Sequence, residues 1–173
     1  MGIRACKPEI AKLPKRTVLT VKTIGDPNKV TAEAMQVLYG TAYGTKFKVF
    51  KPRGKKMEIG APSALWLDAH LRPKNKWTAI WALEVSPFVR PKDLIQKIPS
   101  RPAKLAVWPG GSFAQVLYVG PYSSEGPTIA ELHAFIKDQG YRIAGPHEEV
   151  YLSRPGPKAK TIIRYQVAKS KRK

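Results

Sequence analysis

The chain predicts an α+β fold assembled from two similar halves. Three observations carry that expectation. Several short segments alternate apolar and polar residues at the period of a strand. Two segments instead place their apolar residues at helical spacing. The order strand, Gly/Pro turn, helix, strands then occurs twice, with Ile24-Gly25-Asp26-Pro27 before the first helix paralleled by Tyr118-Val119-Gly120-Pro121 before the second. One helix per half covers one sheet face. Two such halves leave a crease on a pseudo-twofold axis, a usual place for a pocket.

The elements follow in order. Residues 1–16 are mixed and basic, hold Pro8 and Pro14, and read as an extended arm. Residues 17–23 set Val18 and Val21 among Thr and Lys, as in a strand. Asp26-Pro27 supplies an N-cap and a first-turn proline, and Val30, Ala34, Val37 and Leu38 then mark one helical face. Tyr39 and Tyr43 lie four apart on this helix or at its end. Residues 47–71 hold two or three short strands between Pro52, Gly54, Gly60 and Pro62. Trp77, Ala79, Trp81, Leu83 and Val85 share one face of a clean strand that Pro87 ends. Residues 91–98 read as a short helix.

The second half opens with a strand at 104–108, the turn Pro109-Gly110-Gly111 and a strand at 113–119. Glu125-Gly126-Pro127 opens a helix whose apolar face is Ile129, Leu132, His133 and Ile136, and Gly140 stops it. Strands at 149–153 and 161–167 follow, joined by the Pro/Gly loop 154–157. Residues 17–167 thus form a single domain of two repeats, about 17–100 and 101–167, with a basic tail at 168–173.

Composition bounds the function. Thirty-one Lys and Arg against 12 Asp and Glu leave a formal charge of +19 in 173 residues. Such a surface favours contact with polyanions, and residues 46–56 are its densest internal run. Non-specific nucleic-acid contact through phosphates is the partner this suggests, salt-sensitive and without sequence preference. No apolar run reaches the roughly 18 residues of a membrane helix. A single cysteine, Cys6, cannot form an internal disulfide and suits a reducing cytoplasm. No metal-ligand spacing is present, and His70 stands alone in a polar stretch. The phosphate loop GxxxxGK[ST] and the motifs GxGxxG, HExxH and GxSxG are missing. These absences disfavour a standard hydrolase or nucleotide enzyme, and no cofactor or metal is expected.

The most informative segment is His147-Glu148-Glu149-Val150-Tyr151-Leu152-Ser153. As a strand it puts Glu149, Tyr151 and Ser153 on one face and Glu148, Val150 and Leu152 on the other, with Val150 and Leu152 toward the core. The plain reading is a solvated Glu beside an exposed Tyr. The sharper reading is a carboxylate lining an aromatic pocket, where lost hydration raises its pKa and lets it hold a cation or move a proton. His147, in a Pro-containing turn just before the strand, could hydrogen-bond near Glu149. Aromatic residues are plentiful: Tyr43, Trp66, Trp77, Trp81, Trp108, Phe113, Tyr118, Tyr122 and Tyr151. Most suit an ordinary core. Trp66 is set apart by alternation from Leu65 and Leu67; with both leucines buried, it faces solvent or the Glu149 side.

The ordered pieces Tyr118–Ile129, Leu132-His133, Phe135-Ile136, Gly140-Tyr141, Glu149–Ser153 and Lys160–Arg164 together resemble the GyrI-like small-molecule-binding domain. Gly25–Asn28, the stretch 39–43, Lys46-Phe47, Leu65-Trp66 and Lys76-Trp77 are similar to its stand-alone branch. The resemblance spans about residues 17–167. It implies two βαβββ-type repeats around a pseudo-twofold axis with a central ligand cleft. Relatives include effector-binding domains of multidrug-sensing regulators and hydrolases that open the cyclopropane of DNA-alkylating natural products. The family's cleft glutamate falls on Glu149. The resemblance thus implies a binding protein for lipophilic aromatic compounds, cationic ones included, with Glu149 in its cleft. Trp66, Tyr118 and Tyr151 are the expected aromatic walls, and Phe113 and Tyr43, from the aromatic set, complete the expected ligand-binding residues. As a hydrolase, Glu149 would be the catalytic residue. A basic nucleic-acid or acidic-partner binder is the remaining alternative.

Overall fold

Strand pairing resolves the two repeats and shows an exchange between them. The computed structural model describes residues 7–69 and 71–170; Cys6 and His70 lie outside them. Eight strands, β1 (Glu9–Leu13), β2 (Arg16–Ile24), β3 (Ile59–Trp66), β4 (Thr78–Val85), β5 (Lys104–Trp108), β6 (Gly111–Val119), β7 (Tyr141–Tyr151) and β8 (Lys160–Lys169), accompany two helices, α1 (Pro27–Thr45) and α2 (Gly126–Asp138). The class is α+β, as the sequence predicts. The contacts divide the described residues into two compact units, one within 15–109 and the other joining 7–14 with 110–170.

In the 15–109 unit the strands run antiparallel in the order β3-β4-β2-β5. In the other unit the order is β1-β6-β8-β7, again antiparallel. The four strands of each unit follow the same design within one eight-stranded sheet: a βαββ unit whose first strand takes an extra partner at its side. That partner comes from the other half of the sequence. β5 leads directly into β6 yet pairs with β2, and β1 leads into β2 yet pairs with β6. Each crossing is made by a two-residue link holding a proline, Pro14-Lys15 or Pro109-Gly110, and proline's missing N–H interrupts the strand ladder there. The expected arm therefore carries a strand at Glu9–Leu13, because Ile10 and Leu13 are half-buried on the edge of β6.

Local chemistry sets both helices. Asp26 accepts a hydrogen bond from the Asn28 N–H at 3.0 Å and Pro27 occupies the first turn of α1. The face at Ala34, Val37, Leu38, Thr41, Ala42 and Thr45 is buried, and α1 packs on β2 and β4. Helical winding does not stop at Thr45. Residues Lys46–Phe50 continue as a π-helix, with the Lys51 N–H bonded to the Lys46 carbonyl, and Lys51–Arg53 add a 3-10 turn. The expected strands between Phe47 and Leu71 accordingly reduce to β3. Residues 91–98 supply only a 3-10 turn at Pro91–Asp93, because side chains from α1 take up backbone N–H groups of the segment: Ile95 N–H bonds Thr45 Oγ1 and Lys97 N–H bonds Thr41 Oγ1.

α2 begins after Glu125 and ends at Gly140, whose φ of 72° is the left-handed value a side chain resists. Its Leu132 and Ile136 close on Ala114, Val116 and Tyr118 of β6 and Ile163, Tyr165 and Val167 of β8. His133, expected on this apolar face, is exposed. Leu132 has no exposed surface; Leu132→Ala is expected to cost about 2–5 kcal/mol, read as a shift in the urea unfolding midpoint.

Candidate functional site

The β7–β8 register decides which side chains share a face. His147 lies opposite Tyr165, Glu149 opposite Ile163 and Tyr151 opposite Thr161. The β6–β8 register adds Ala114, Val116 and Tyr118 to the same face. Since Ile163, Tyr165, Val116 and Tyr118 form the core under α2, Glu149 and Tyr151 lie on the helix-covered face rather than opposite the core. Leu152, expected inward, is 48% exposed just beyond the strand, because β7 ends at Tyr151 and the alternation ends with it.

The Glu149 side chain is only 13% exposed and that of His147 15%. Both Glu149 oxygens accept hydrogen bonds: Tyr151 donates to Oε2 at 2.7 Å, and His147 Nε2 lies 2.9 Å from Oε1. His147 Nδ1 lies 2.6 Å from the Tyr165 hydroxyl. A carboxylate only accepts, so Nε2 carries the proton that bonds Glu149. With the ring neutral, Nδ1 accepts from Tyr165. The result is a relay from Tyr165 through His147 to Glu149. Burial, reinforced by the Glu149 charge, pushes the Tyr165 hydroxyl up to about 12, so it remains a donor near neutrality.

Rings border this relay. Tyr122 meets Tyr151 edge-on at 5.7 Å, and His133 and His147 meet Tyr165 edge-on at 4.9 and 5.1 Å. Beside them Glu125, the residue that precedes α2, is buried, and its Oε1 has no hydrogen-bond partner. Burial first and the Glu149 charge second push this carboxyl up to about 8. Its place at a helix N-terminus favours the charged form, but only by about 0.3–1 kcal/mol. No cap hydrogen bond forms from its side chain, so burial prevails. The site thus holds two carboxyl groups of opposite habit: Glu149, furnished with donors, and Glu125, neutral at pH 7.

The other expected residues fall as follows. Tyr118 shares the Glu149 face and donates its hydroxyl to the Pro121 carbonyl at 2.9 Å. Phe113 is on the opposite face of β6, with the Arg164 guanidinium 5.8 Å from its ring centre. Trp66 and Tyr43 belong to the 15–109 unit. Trp66 is buried edge-on against Trp77 and Trp81 at 5.6 and 5.5 Å, and its indole N–H has no partner. Leu67 beside it is exposed and Leu65 half-buried, the reverse of the expected burial. Tyr43 is 45% exposed. Sequence reasoning missed Glu125 and Tyr165. Tyr165 was legible in principle as the partner of His147 across a strand pair; Glu125 resembles any solvated acid before a helix. Among the described residues no group of His, Cys, Asp and Glu is arranged to hold a metal, and no helix is long and apolar enough to cross a membrane.

Comparison with known proteins decides the family. A model of the GyrI-like small molecule binding domain matches residues 7–168. The chain belongs to this family. Among solved structures, an uncharacterized conserved protein from Listeria innocua is 27% identical, with a TM-score of 0.83 over 95% of this chain and 93% of its own. A hydrolase from Listeria innocua is also 27% identical, with a TM-score of 0.80 over the same shares. SAV2435 bound to tetraphenylphosphonium is 13% identical, with a TM-score of 0.53 over 94% of each chain, and shares the fold alone. No curated protein sequence matches the chain. The GyrI-like assignment makes the chain a small-molecule-binding domain, and the glutamate–tyrosine strand that first suggested the family carries the relay just described.

Proposed function

We propose that this GyrI-like protein binds lipophilic aromatic cations, with Glu149 as the anionic anchor. The observation that carries the reading is a mostly buried carboxylate supplied with two donors and bordered by the rings of Tyr151 and Tyr122. The two donors satisfy both carboxylate oxygens inside a mostly buried site. The rings add apolar area and cation–π attraction. The tetraphenylphosphonium held by a protein of the same fold supports this ligand class. The test is calorimetric titration of tetraphenylphosphonium into wild type and Glu149→Gln. The phosphonium has no hydrogen to donate, so the anchor acts through charge alone; at an effective dielectric of about 20 a unit charge roughly 6–8 Å away contributes about 2–3 kcal/mol, and affinity is expected to fall roughly 30- to 100-fold. Equal affinities would refute the anchor.

A second reading is favoured by the His147–Glu149 pair and by the likeness to a protein called a hydrolase. In it, Glu149 takes a proton from water as the water oxygen bonds a strained ring carbon. The cyclopropane C–C bond breaks, its electron pair passes into the substrate, and a proton then quenches that charge. Turnover of a cyclopropane-bearing DNA alkylator by wild type, lost in Glu149→Gln with binding retained, is the expected result; no turnover by wild type leaves simple binding.

A further inference from the structure

We propose that the turn after α1 is a separate binding site for phosphate-bearing aromatic ligands of the nucleotide class. Between Lys46 and Lys56 the chain carries six cations and no acid. The π-helix and 3-10 turn wind this run tightly, and Gly54 reverses it at φ 66°, a left-handed conformation. Lys46, Lys51, Lys55 and Lys56 thereby border one concavity of about 380 Å³, with Phe47 and Met57 in its wall. That volume lies within the range of small-molecule sites.

Charge in this concavity is poorly compensated. Lys56 pairs with Glu58 at 2.8 Å, and Arg53 lies 3.5 Å from Asp93. Among the described residues Lys46, Lys51 and Lys55 have no ion pair. Like charges gathered by one turn repel, and a concave surface of one sign concentrates counter-ions. A phosphate would relieve that repulsion.

The aromatic half of the ligand is indicated by the adjoining rings. Phe47 is 52% exposed, and the Lys51 ammonium stands 5.6 Å from its ring centre. Tyr43 stacks on Phe47 at 5.9 Å and 11°, and Tyr39 on Tyr43 at 6.2 Å and 18°. A base can lie on this strip while its phosphate meets the lysines, the combination that sites for single-stranded nucleic acid use. A free nucleotide and a strand of nucleic acid present the same chemistry.

Calorimetry with ATP, inorganic tripolyphosphate and an oligothymidylate, at low and at physiological salt, tests this. Wild type is expected to bind ATP, and K51Q/K55Q to weaken it by about tenfold or more, with salt eroding wild-type affinity. F47A is expected to weaken ATP and the oligonucleotide but not tripolyphosphate. Much tighter binding of the oligonucleotide than of ATP identifies a strand as the source; similar binding identifies the free nucleotide. K22Q/K160Q removes two exposed lysines elsewhere. An equal loss in that control, indifference of ATP to F47A, or no binding of any probe at low salt would overturn the proposal.

Discussion

Glu148→Leu is expected to destabilise the fold by about 3–5 kcal/mol, a fall in Tm of roughly 6–20 °C for a chain of this size. Arg164 donates Nε to Glu148 Oε2 at 2.8 Å and Nη2 to Oε1 at 2.7 Å, a two-pronged pair across β7 and β8. The side chains are 9% and 3% exposed. Removing the carboxylate strands a guanidinium that cannot shed its proton. The Phe113 ring beside it offers only a cation–π contact, worth about 0.5–2 kcal/mol. The double variant E148L/R164M removes both charges and is expected to recover most of the loss, since apolar replacements of a buried pair are often neutral or better. Salt should change little, because buried pairs are weakly screened. A single variant costing under about 1 kcal/mol would show that the pair is solvated.

This pair also explains what could be read in advance. Period two assigned Glu148 and Glu149 to different faces, and they have different fates: one bonds Arg164, the other His147 and Tyr151. The helix starting at Pro27, the helix over 126–138 and the clean strand at 78–85 were legible because capping residues and apolar spacing agreed. Glu9–Leu13 was not, since its partner β6 begins about a hundred residues later and no local signal announces an exchanged strand. The helical winding of 46–53 was hidden by Pro52 and Gly54, which punctuate strands and helix ends alike. Burial of Leu152 was misjudged by extending alternation one residue past the strand. Glu125 was invisible for a different reason: its burial comes from packing at the start of α2, and nothing in Ser124-Glu125-Gly126 encodes it.

Glu125 should make both stability and ligand binding depend on pH. Its carboxyl is pushed from the ordinary 4.5 up to about 8 by burial and by the Glu149 charge. Between those values the folded chain holds a proton that the unfolded chain has released. Stability therefore falls as pH rises through this window and levels off above it. At about 1.4 kcal/mol per unit the total is on the order of 5 kcal/mol. Glu125→Gln is uncharged throughout and is expected to be several kcal/mol more stable than wild type near pH 8.5, with little difference near pH 5. Urea unfolding across that range measures it; parallel stability profiles for the two proteins would contradict it. A cation bound at Glu149 adds a second consequence. Positive charge beside Glu125 favours its ionised form, so binding expels the proton. Tetraphenylphosphonium affinity should then rise with pH up to about 8, by as much as tenfold per unit if ionisation is complete, and Glu125→Gln should flatten that slope without abolishing binding. A wild-type affinity independent of pH would mean that Glu125 does not sense the guest, leaving Glu149 as anchor but separating the two carboxyl groups in function.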